Sequence, residues 1–337
     1  MTSTVWHKLR TRLQMNRYEN ETAVPSPFWI IVQKEFSDHL RSWRFVILLG
    51  IVSLACFGSI YASVQALRNG AVESDSQFLF LQMFIASDGT LPSFVTFVSF
   101  LGPLMGISLG FDAINSERMK GTLSRMLSQP VYRDDFIQAK FTAALLLTTT
   151  VMFSLGFMVM GLGLFTIGFP PTPEELLRVL CFLLVAIVYV GFWLCVSMLF
   201  SIRFRQAATS ALSGIAIWIF YSVFYGMIVN IVSNATAPEN TASTAAIIRH
   251  QQWLLTISRF SPAELFSEAT STLLMPSIRS LGPLTVDQVY GAIPAPLPLG
   301  QSLLLVWPQL TGLIAATLVC YGIAYAMFMR QEIRSRS

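Results

Sequence analysis

Charge is scarce in this chain. Only 12% of its 337 residues are Asp, Glu, Lys or Arg, whereas 54% are hydrophobic. An ordinary soluble domain has about 25% charged residues. The composition therefore excludes a typical soluble enzyme or binding domain, and it predicts a chain that is embedded in a bilayer.

Residues that carry out chemistry are also few. The sequence has three histidines and four cysteines, and none of them is spaced as a set of metal ligands. It contains no GxxxxGK[ST] phosphate-binding loop, no HExxH and no GxSxG. The cysteines all lie inside apolar stretches, without a CxxC pair. We therefore expect no catalytic residue, metal, cofactor or disulfide in this chain, and no nucleic-acid partner.

The apolar stretches also lack carboxylates, histidines and lysines near their centres. Proton- and ion-coupled carriers usually need such groups at mid-membrane. An ion-coupled secondary transporter is therefore a less favoured alternative. We expect the energy source to lie on another polypeptide.

What the sequence does contain is six long apolar runs. A helix needs about 20 apolar residues to cross the hydrocarbon core of a bilayer, and each run reaches that length. The pattern predicts an all-α membrane protein with six transmembrane helices. The runs span residues 45–67, 92–111, 141–169, 176–201, 207–232 and 302–329.

The basic residues are distributed unevenly between the two sides of this arrangement. Seventeen of the 22 Lys and Arg residues fall in the termini and in the loops at 112–141 and 202–206, which share one side. Because cytosolic loops carry the excess of Lys and Arg, we expect both termini in the cytosol.

Residues 28–44 precede the first run and show helical periodicity, with Lys34, Asp38 and Arg41 opposite an apolar face. We interpret this segment as an elbow helix in the membrane plane. A plain cytosolic extension of the first span is the alternative. A basic cytosolic tail, 1–27, comes before it. The apolar face of the elbow helix consists of Trp29, Val32, Phe36, Leu40 and Trp43.

The loop 112–140 has the most specific sequence. Ser116 can cap a helix that has Glu117 in its first turn, and Leu123 gives that helix an apolar side. Gly121 interrupts the helix, which suggests a bend or the close approach of another backbone. We predict a short helix that presents a small apolar knob, ringed by charge, to a groove on a cytosolic protein. An ordinary connecting loop is the alternative.

Other local patterns give smaller predictions. Gly102, Gly106 and Gly110 form a stripe that suits helix packing within the bundle, or alternatively a dimer seam. Capping boxes are predicted at Thr172 and Ser261. Residues 233–301 form an extracytoplasmic segment with helices expected at 245–258 and 262–274.

Three stretches of the sequence resemble a known family. The elbow KEFSDHLRSWRF and the loop FDAINSERMKGTLSRMLSQPVYR resemble the permease subunits of ABC-2 type transporters. The stretch SPAELFSEATSTLL is similar to the branch that includes the permease for nitrous-oxide-reductase maturation. The resemblance covers nearly the whole chain from Phe28 onward. Met119 departs from it, because many members have an acidic residue there.

The resemblance implies an ABC-2, type V exporter-like fold in a prokaryotic cell membrane. It also implies a dimer, homomeric or heteromeric, and two cytosolic ATPase subunits that hold ATP and Mg. The loop after the second span would insert into the ATPase, and the turn at 202–206 would make a second contact; the alternative for that turn is plain charge anchoring. The implied coupling residues are Glu117, Arg118, Gly121, Thr122, Leu123, Ser128, Pro130, Arg133, Arg203 and Arg205.

The resemblance also implies that the second and fifth spans line a central cavity. Polar-tipped aromatic residues on the fifth span would suit an amphipathic substrate. The alternative is that they pack or form an interface belt. The residues are Trp218, Tyr221, Ser222, Tyr225 and Asn230.

These observations favour the permease subunit of an ATP-driven exporter, which is not itself an enzyme. Its expected partners are a cytosolic ABC ATPase, a second permease protomer and membrane lipid. The principal alternative is a permease that transmits motion to an extracytoplasmic protein, because the outer segment is large enough to bind one.

Overall fold

The computed structural model describes residues 27–68, 78–127, 132–238, 243–278, 281 and 296–331. Within these ranges the chain is helical and contains no strand. The helices are α1 (Pro27–Leu40), α2 (Trp43–Arg68), α3 (Leu79–Ile85), α4 (Phe94–Gly110), α5 (Asn115–Met119), α6 (Thr122–Leu127), α7 (Arg133–Ile167), α8 (Pro173–Arg203), α9 (Ala207–Ile219), α10 (Tyr225–Ala235), α11 (Thr244–Ser258), α12 (Pro262–Leu274) and α13 (Leu299–Arg330).

Six helical stretches in the described residues are long and apolar enough to cross a membrane. They match the six predicted runs, so the predicted all-α fold with six transmembrane helices is confirmed. The first, third, fourth and sixth spans are α2, α7, α8 and α13, the second continues from α4 into α5, and the fifth joins α9 and α10 through a π-helical stretch, Phe220–Phe224.

The fourth span is the centre of the bundle. Its most apolar 18-residue stretch is 78% buried, against 6% for the fifth span. The glycine stripe of α4 packs against it: a Cβ on Gly106 would lie 2.6 Å from the Val190 carbonyl oxygen, and one on Gly110 would lie 2.9 Å from that of Leu194. The stripe therefore serves close packing inside the chain.

The predicted elbow segment divides into two helices. Helix α1 ends at Leu40, and the Ser42 amide donates to the His39 carbonyl oxygen in a tight turn before α2 begins. The prediction that Trp43 belongs to the elbow helix is therefore wrong, because the break at 41–42 places it in the first span.

The segment at 233–301, which was predicted to be extracytoplasmic, is called the outer segment here, and the end of the bundle that carries it is called the outer end. Its described part is partly inserted into the bundle. Helix α12 packs between α8 and α13, and its Phe266 ring stacks on Tyr189 of the fourth span at 4.4 Å. The predicted capping box at Thr172 is present, with Glu175 completing it. The capping box predicted at Ser261 is wrong, because the Ser261 side chain makes no cap hydrogen bond to α12. A side-chain cap is found at the preceding helix, α11, where Ser243 accepts from the Ala246 amide.

The fully buried Arg178 joins this outer segment to the fourth span. Its guanidinium donates to the Leu273 carbonyl oxygen at 3.0 Å, to Ser302 Oγ at 3.1 Å and to the Leu297 carbonyl oxygen at 2.5 Å. Glu174, one turn earlier, supplies the counter-charge at 2.9 Å. One side chain thus holds the end of α12, the segment before α13 and the start of α13.

Candidate functional site

One end of the bundle gathers most of the described basic residues and is called the basic end here. It comprises α1, the α5–α6 pair, the first two turns of α7, the turn after α8 and the end of α13. The α5–α6 pair is called the coupling segment. Because α7 has 35 residues, it is about 50 Å long, whereas the hydrocarbon core is about 30 Å thick. Its first turns can therefore extend beyond the hydrocarbon.

The coupling segment hangs from the end of the fourth span. Ser201 Oγ accepts hydrogen bonds from the Ile114 amide at 2.9 Å and the Asn115 amide at 3.2 Å. These are the orphan donors at the start of α5, so Ser201 acts as a cap that belongs to another helix. The prediction that Ser116 caps this helix is wrong, since its hydroxyl donates back to the Asp112 carbonyl oxygen at 2.6 Å.

A sharp turn separates α5 from α6. Gly121 at this turn has φ +69°, in the left-handed region, and among the described residues beyond its two chain neighbours no atom lies within 4 Å of the position where a Cβ would be. The glycine is therefore needed for the bend, which was one of its two predicted roles. The other predicted role, the close approach of another backbone, is not seen in the part of the chain that the structure describes.

Leu123 lies inside the protein. It is only 3% exposed and belongs to the main hydrophobic core. The prediction that it projects as part of an apolar knob is wrong, because the turn at Gly121 directs α6 back onto the bundle. The side chain that does project is Met119, which is 67% exposed, and Lys120 and Gly121 beside it are also exposed.

Glu117 faces inward at the joint between the two short helices. Its carboxylate accepts a hydrogen bond from Thr122 Oγ1 at the start of α6, and its other oxygen lies 3.8 Å from Lys140 Nζ. Lys140 lies on α7 and donates to Glu35 of α1 at 2.7 Å, with both side chains buried. A continuous row of polar contacts therefore runs from α1 through α7 to the coupling segment.

Neither Glu35 nor Lys140 was predicted as a site residue. A signal existed for Glu35, because it is an acid that lies among the apolar residues of α1. Burial alone raises its pKa, but the charge of Lys140 and the hydrogen bond from it outweigh that effect and hold the pKa of Glu35 below its usual value. The carboxylate is thus stabilised in its ionised form.

Gln331, also missed from the sequence, fastens the other side of the coupling segment. Arg118 donates to its side-chain oxygen, and its own Nε2 donates to the Ile202 carbonyl oxygen at 2.8 Å. Arg133 donates to its main-chain oxygen at 3.4 Å. Gln331 therefore joins the ends of the fourth and sixth spans to the coupling segment and to the start of the third span.

The remaining predicted coupling residues are placed differently. Arg203, the last residue of α8, and Arg205, in the turn after it, are both exposed. Ser128 and Pro130 lie outside the described residues, as do residues 1–26 of the predicted N-terminal tail.

A polar cavity of about 140 Å³ lies between α1, the end of the second span and the coupling segment. The Arg44–Asp112 ion pair, at 2.6 Å, forms part of its wall. His39 is also on the wall, and burial lowers the pKa of this imidazole below its usual value of 6.5. The cavity wall is lined by Glu35, Asp38, His39, Ser42, Arg44, Phe45, Ser108, Leu109, Asp112, Ala113, Ser116, Glu117, Lys120 and Lys140.

The predicted apolar face of α1 is divided between two environments. Val32 packs with Ile31 against Ala139 and Ala143 of α7, and Phe36 lies beside them. Trp29 and Leu40 are exposed, at 55% and 44%. The face that packs is therefore rotated relative to the predicted one, and it includes the charged Glu35.

Of the predicted substrate-path residues, Tyr221 and Tyr225 lie together, with ring centroids 5.5 Å apart, and the others have different surroundings. Trp218 is buried, with its ring 4.8 Å from Phe100 of the second span, and the Tyr225 hydroxyl donates to the Ile257 carbonyl oxygen at the end of α11. Ser222 and Asn230 are exposed. Tyr221 lies in the π-helical stretch, a distortion that is frequent at functional sites.

Comparison with known proteins agrees with this architecture. The family described as ABC-2 family transporter protein matches residues 29–333. A protein named probable ABC transporter permease protein NosY, from Stutzerimonas stutzeri, is 30% identical over 142 residues, which cover 42% of this chain and 47% of that protein. A protein of the same name from Pseudomonas aeruginosa is 29% identical over 114 residues, 34% of this chain and 37% of that protein.

The matches to these relatives thus span less than half of their length, whereas the family match covers nearly the whole chain. The six long apolar helices of this chain also agree with a multi-pass membrane protein. The chain belongs to the ABC-2 family of transporter proteins.

Proposed function

We propose that this chain couples ATP hydrolysis by a separate cytosolic ATPase to the export of a substrate across a prokaryotic cell membrane. The observation that carries the proposal is the construction of the basic end. Met119 projects with Lys120 and Gly121, while the coupling segment behind them is fastened by Ser201, Gln331 and Lys140. A projecting tip on a firmly held base suits the transmission of force from a bound partner.

The same proposal sets the topology and the stoichiometry. The basic end lies in the cytosol, so both termini are cytosolic. Two permease protomers and two ATPases form the complex, and ATP and Mg bind to the ATPases. The exposed Trp29 on α1 and Trp43 at the start of the first span suit the headgroup layer, as expected of an interfacial elbow helix.

The substrate path belongs to the dimer in this proposal. Tyr221 and Ser222 lie on the fifth span, whose apolar stretch is 6% buried within the protomer. A second protomer that faces this span would enclose them in a shared cavity. Trp218 would then support the second span and not line the path, because its ring packs on Phe100.

Co-purification tests the contact with the ATPase. The tagged chain is expressed with the ATP-binding protein encoded by the neighbouring gene, and the retained ATPase is quantified. We expect Met119→Asp to reduce retention about tenfold, since a charge at a central contact costs at least about 1.4 kcal/mol of binding free energy.

Phe260→Asp is the matched control, because Phe260 is an exposed apolar side chain at the opposite end of the bundle. It should retain the ATPase at the wild-type level. Full retention by Met119→Asp, or loss by both variants alike, would contradict the assignment of the ATPase contact to the coupling segment.

One observation supports a second candidate function, the transmission of motion to an extracytoplasmic protein. Helix α11 has no buried residue and exposes Ile247 and Trp253 at the outer end. If this surface binds a protein, Trp253→Asp should abolish the physiological output while ATP-driven export by reconstituted complexes stays unchanged. Export that is lost in the same variant would favour the exporter.

A further inference from the structure

Lys140 contacts two separate elements of the basic end, α1 and the coupling segment. Its Nζ lies 2.7 Å from Glu35 of α1 and 3.8 Å from Glu117 of the coupling segment. It is 5% exposed and lies two turns from the start of the third span. Two carboxylates therefore share one buried ammonium group that belongs to a third element.

The geometry points to Lys140 as the positioning residue through which the coupling segment and the elbow helix move together. The consequence of this inference, that a movement of the ATPase reaches the third span, rests on the proposed function. The structural claim itself does not: it states that the distance between α1 and α5 stays fixed only while Lys140 carries its charge.

The contacts around Glu117 extend this connection past the turn at Gly121. One Glu117 oxygen faces Lys140, and the other accepts from Thr122 at the start of α6. A displacement of either short helix therefore moves the same carboxylate. The ammonium is buried and the Glu117 side chain is only 15% exposed, so that displacement changes an electrostatic interaction that water screens only in part, and Lys140 resists it.

The residue type suits such a joint. An ammonium group is a compact charge on a flexible stem with three rotatable donors, so it can move closer to one carboxylate or to the other while it contacts both. Lys34 supports the Glu35 side of the joint, since its Nζ lies 3.4 Å from Glu35 and 3.5 Å from Asp38. The stronger present contact of Lys140 is with Glu35, and movement of the coupling segment toward α7 would strengthen the one with Glu117.

A variant that still folds can show whether Lys140 positions the two elements or only stabilises the protein. Lys140→Met alone leaves the buried Glu35 with the exposed Lys34 as its nearby cation and takes the ammonium away from Glu117, and the loss of one partner of a buried ion pair destabilises a protein strongly. The triple variant Glu35→Gln, Glu117→Gln, Lys140→Met removes all three charges at once, and such neutral replacement is often tolerated. It is expected to melt within a few degrees of the wild type in detergent.

The first measurement uses the permease alone in nanodiscs. Spin labels are placed at Gln33→Cys on α1 and Met119→Cys on α5, in a background whose four native cysteines are alanine. We expect the triple variant to broaden the measured distance distribution at least twofold. A matched control, Arg44→Met with Asp112→Asn, neutralises a more exposed pair at the same cavity and should keep the wild-type width.

The second measurement uses the complex with the ATPase. At equal amounts of bound ATPase, the triple variant should hydrolyse ATP about tenfold more slowly, a change within the range seen for residues that link two sites. A folded triple variant with the wild-type distance distribution overturns the inference. If no ATPase binds even the wild-type chain, the proposed function fails, and the label distances still decide the role of Lys140.

Discussion

Two cations are buried in the described part of the molecule, one at each end, and they are held in different ways. Lys140 at the basic end is neutralised by carboxylates from two other helices. Arg178 at the outer end donates to two main-chain oxygens, to one hydroxyl and, through two of its nitrogens, to the Glu174 carboxylate of its own helix. The first site joins carboxylates of separate helices, and the second combines main-chain acceptors with an ion pair inside one helix.

The difference indicates which contacts are easier to rearrange. Release of Arg178 would leave the main-chain carbonyl groups at the end of α12 and before α13 without this donor, so the outer segment is held firmly on the fourth span. Carboxylates on the separate helices α1 and α5 can shift relative to Lys140 while the helices stay intact. We infer that the outer cover is rigid and that the basic end carries the adjustable contacts.

The largest expected effect comes from removal of the outer cation. Arg178→Met leaves the carbonyl groups of Leu273 and Leu297 and the Glu174 carboxylate without their donor. We expect a loss of about 3–5 kcal/mol of unfolding free energy, measured by thermal unfolding in detergent. Arg249→Met, an exposed arginine at the same end, should change stability little, and equal effects would erase the distinction between the two arginines.

A smaller loss of stability is expected when residue 178 keeps its positive charge but loses the planar shape of the guanidinium. Arg178→Lys cannot reach three acceptors on different segments, because an ammonium lacks the planar fork of a guanidinium. We expect a cost of about 1–3 kcal/mol for the unsatisfied carbonyl groups. Lys140→Arg, by contrast, retains a charge that both carboxylates can contact, and it should preserve the label distance distribution. If Arg178→Lys unfolds at the same temperature as the wild type, the inference that Arg178 holds the outer end rigidly would be contradicted.

The smallest expected effect is a pH dependence of opposite sign at the two ends. Burial lowers the pKa of His39 at the basic end, with smaller opposing effects from Glu35, Asp112 and Asp38 and a reinforcing one from Lys140. The unfolded chain therefore binds the proton first, and stability is lost as the pH falls below about 6.5. His39→Gln should abolish this loss.

The outer end behaves in the reverse way. Burial, with the nearby charge of Glu268, raises the pKa of Glu264 on α12 above its usual value of 4.5, against a smaller effect of Arg259. The folded chain then holds the proton longer, so stability is lost as the pH rises from about 4.5 through the folded pKa. Glu264→Gln should remove that slope in thermal unfolding curves between pH 4 and 8. Slopes of one sign at both ends would contradict this comparison.

Length and apolarity were enough to predict the six spans, because a bilayer imposes one requirement on every crossing helix. Local chemistry was also predictable where it is self-contained: the Thr172 capping box forms within four residues. The contact between Glu35 and Lys140 joins residues 105 positions apart, and no periodicity reports such a pairing. Leu123 was misplaced for the same reason, since a short apolar helix does not reveal what it packs against.

The site shows the same division. The sequence identified the segment around Glu117 and Gly121, and it anticipated the bend at the glycine. It did not reveal that Glu117 faces inward, because that orientation depends on Lys140 and Thr122 together. Ser201 and Gln331 were missed because each is an ordinary polar residue at the end of an apolar run.

The close approach of the second and fourth spans at Gly106 restricts how the protein can change shape. Where two backbones touch, neither helix can slide along its neighbour by one residue without driving a side chain into the crossing. We therefore expect the two helices to move together as one rigid pair. The fifth span, which is weakly enclosed within the protomer and contains the π-helical stretch, is where we expect more freedom to bend.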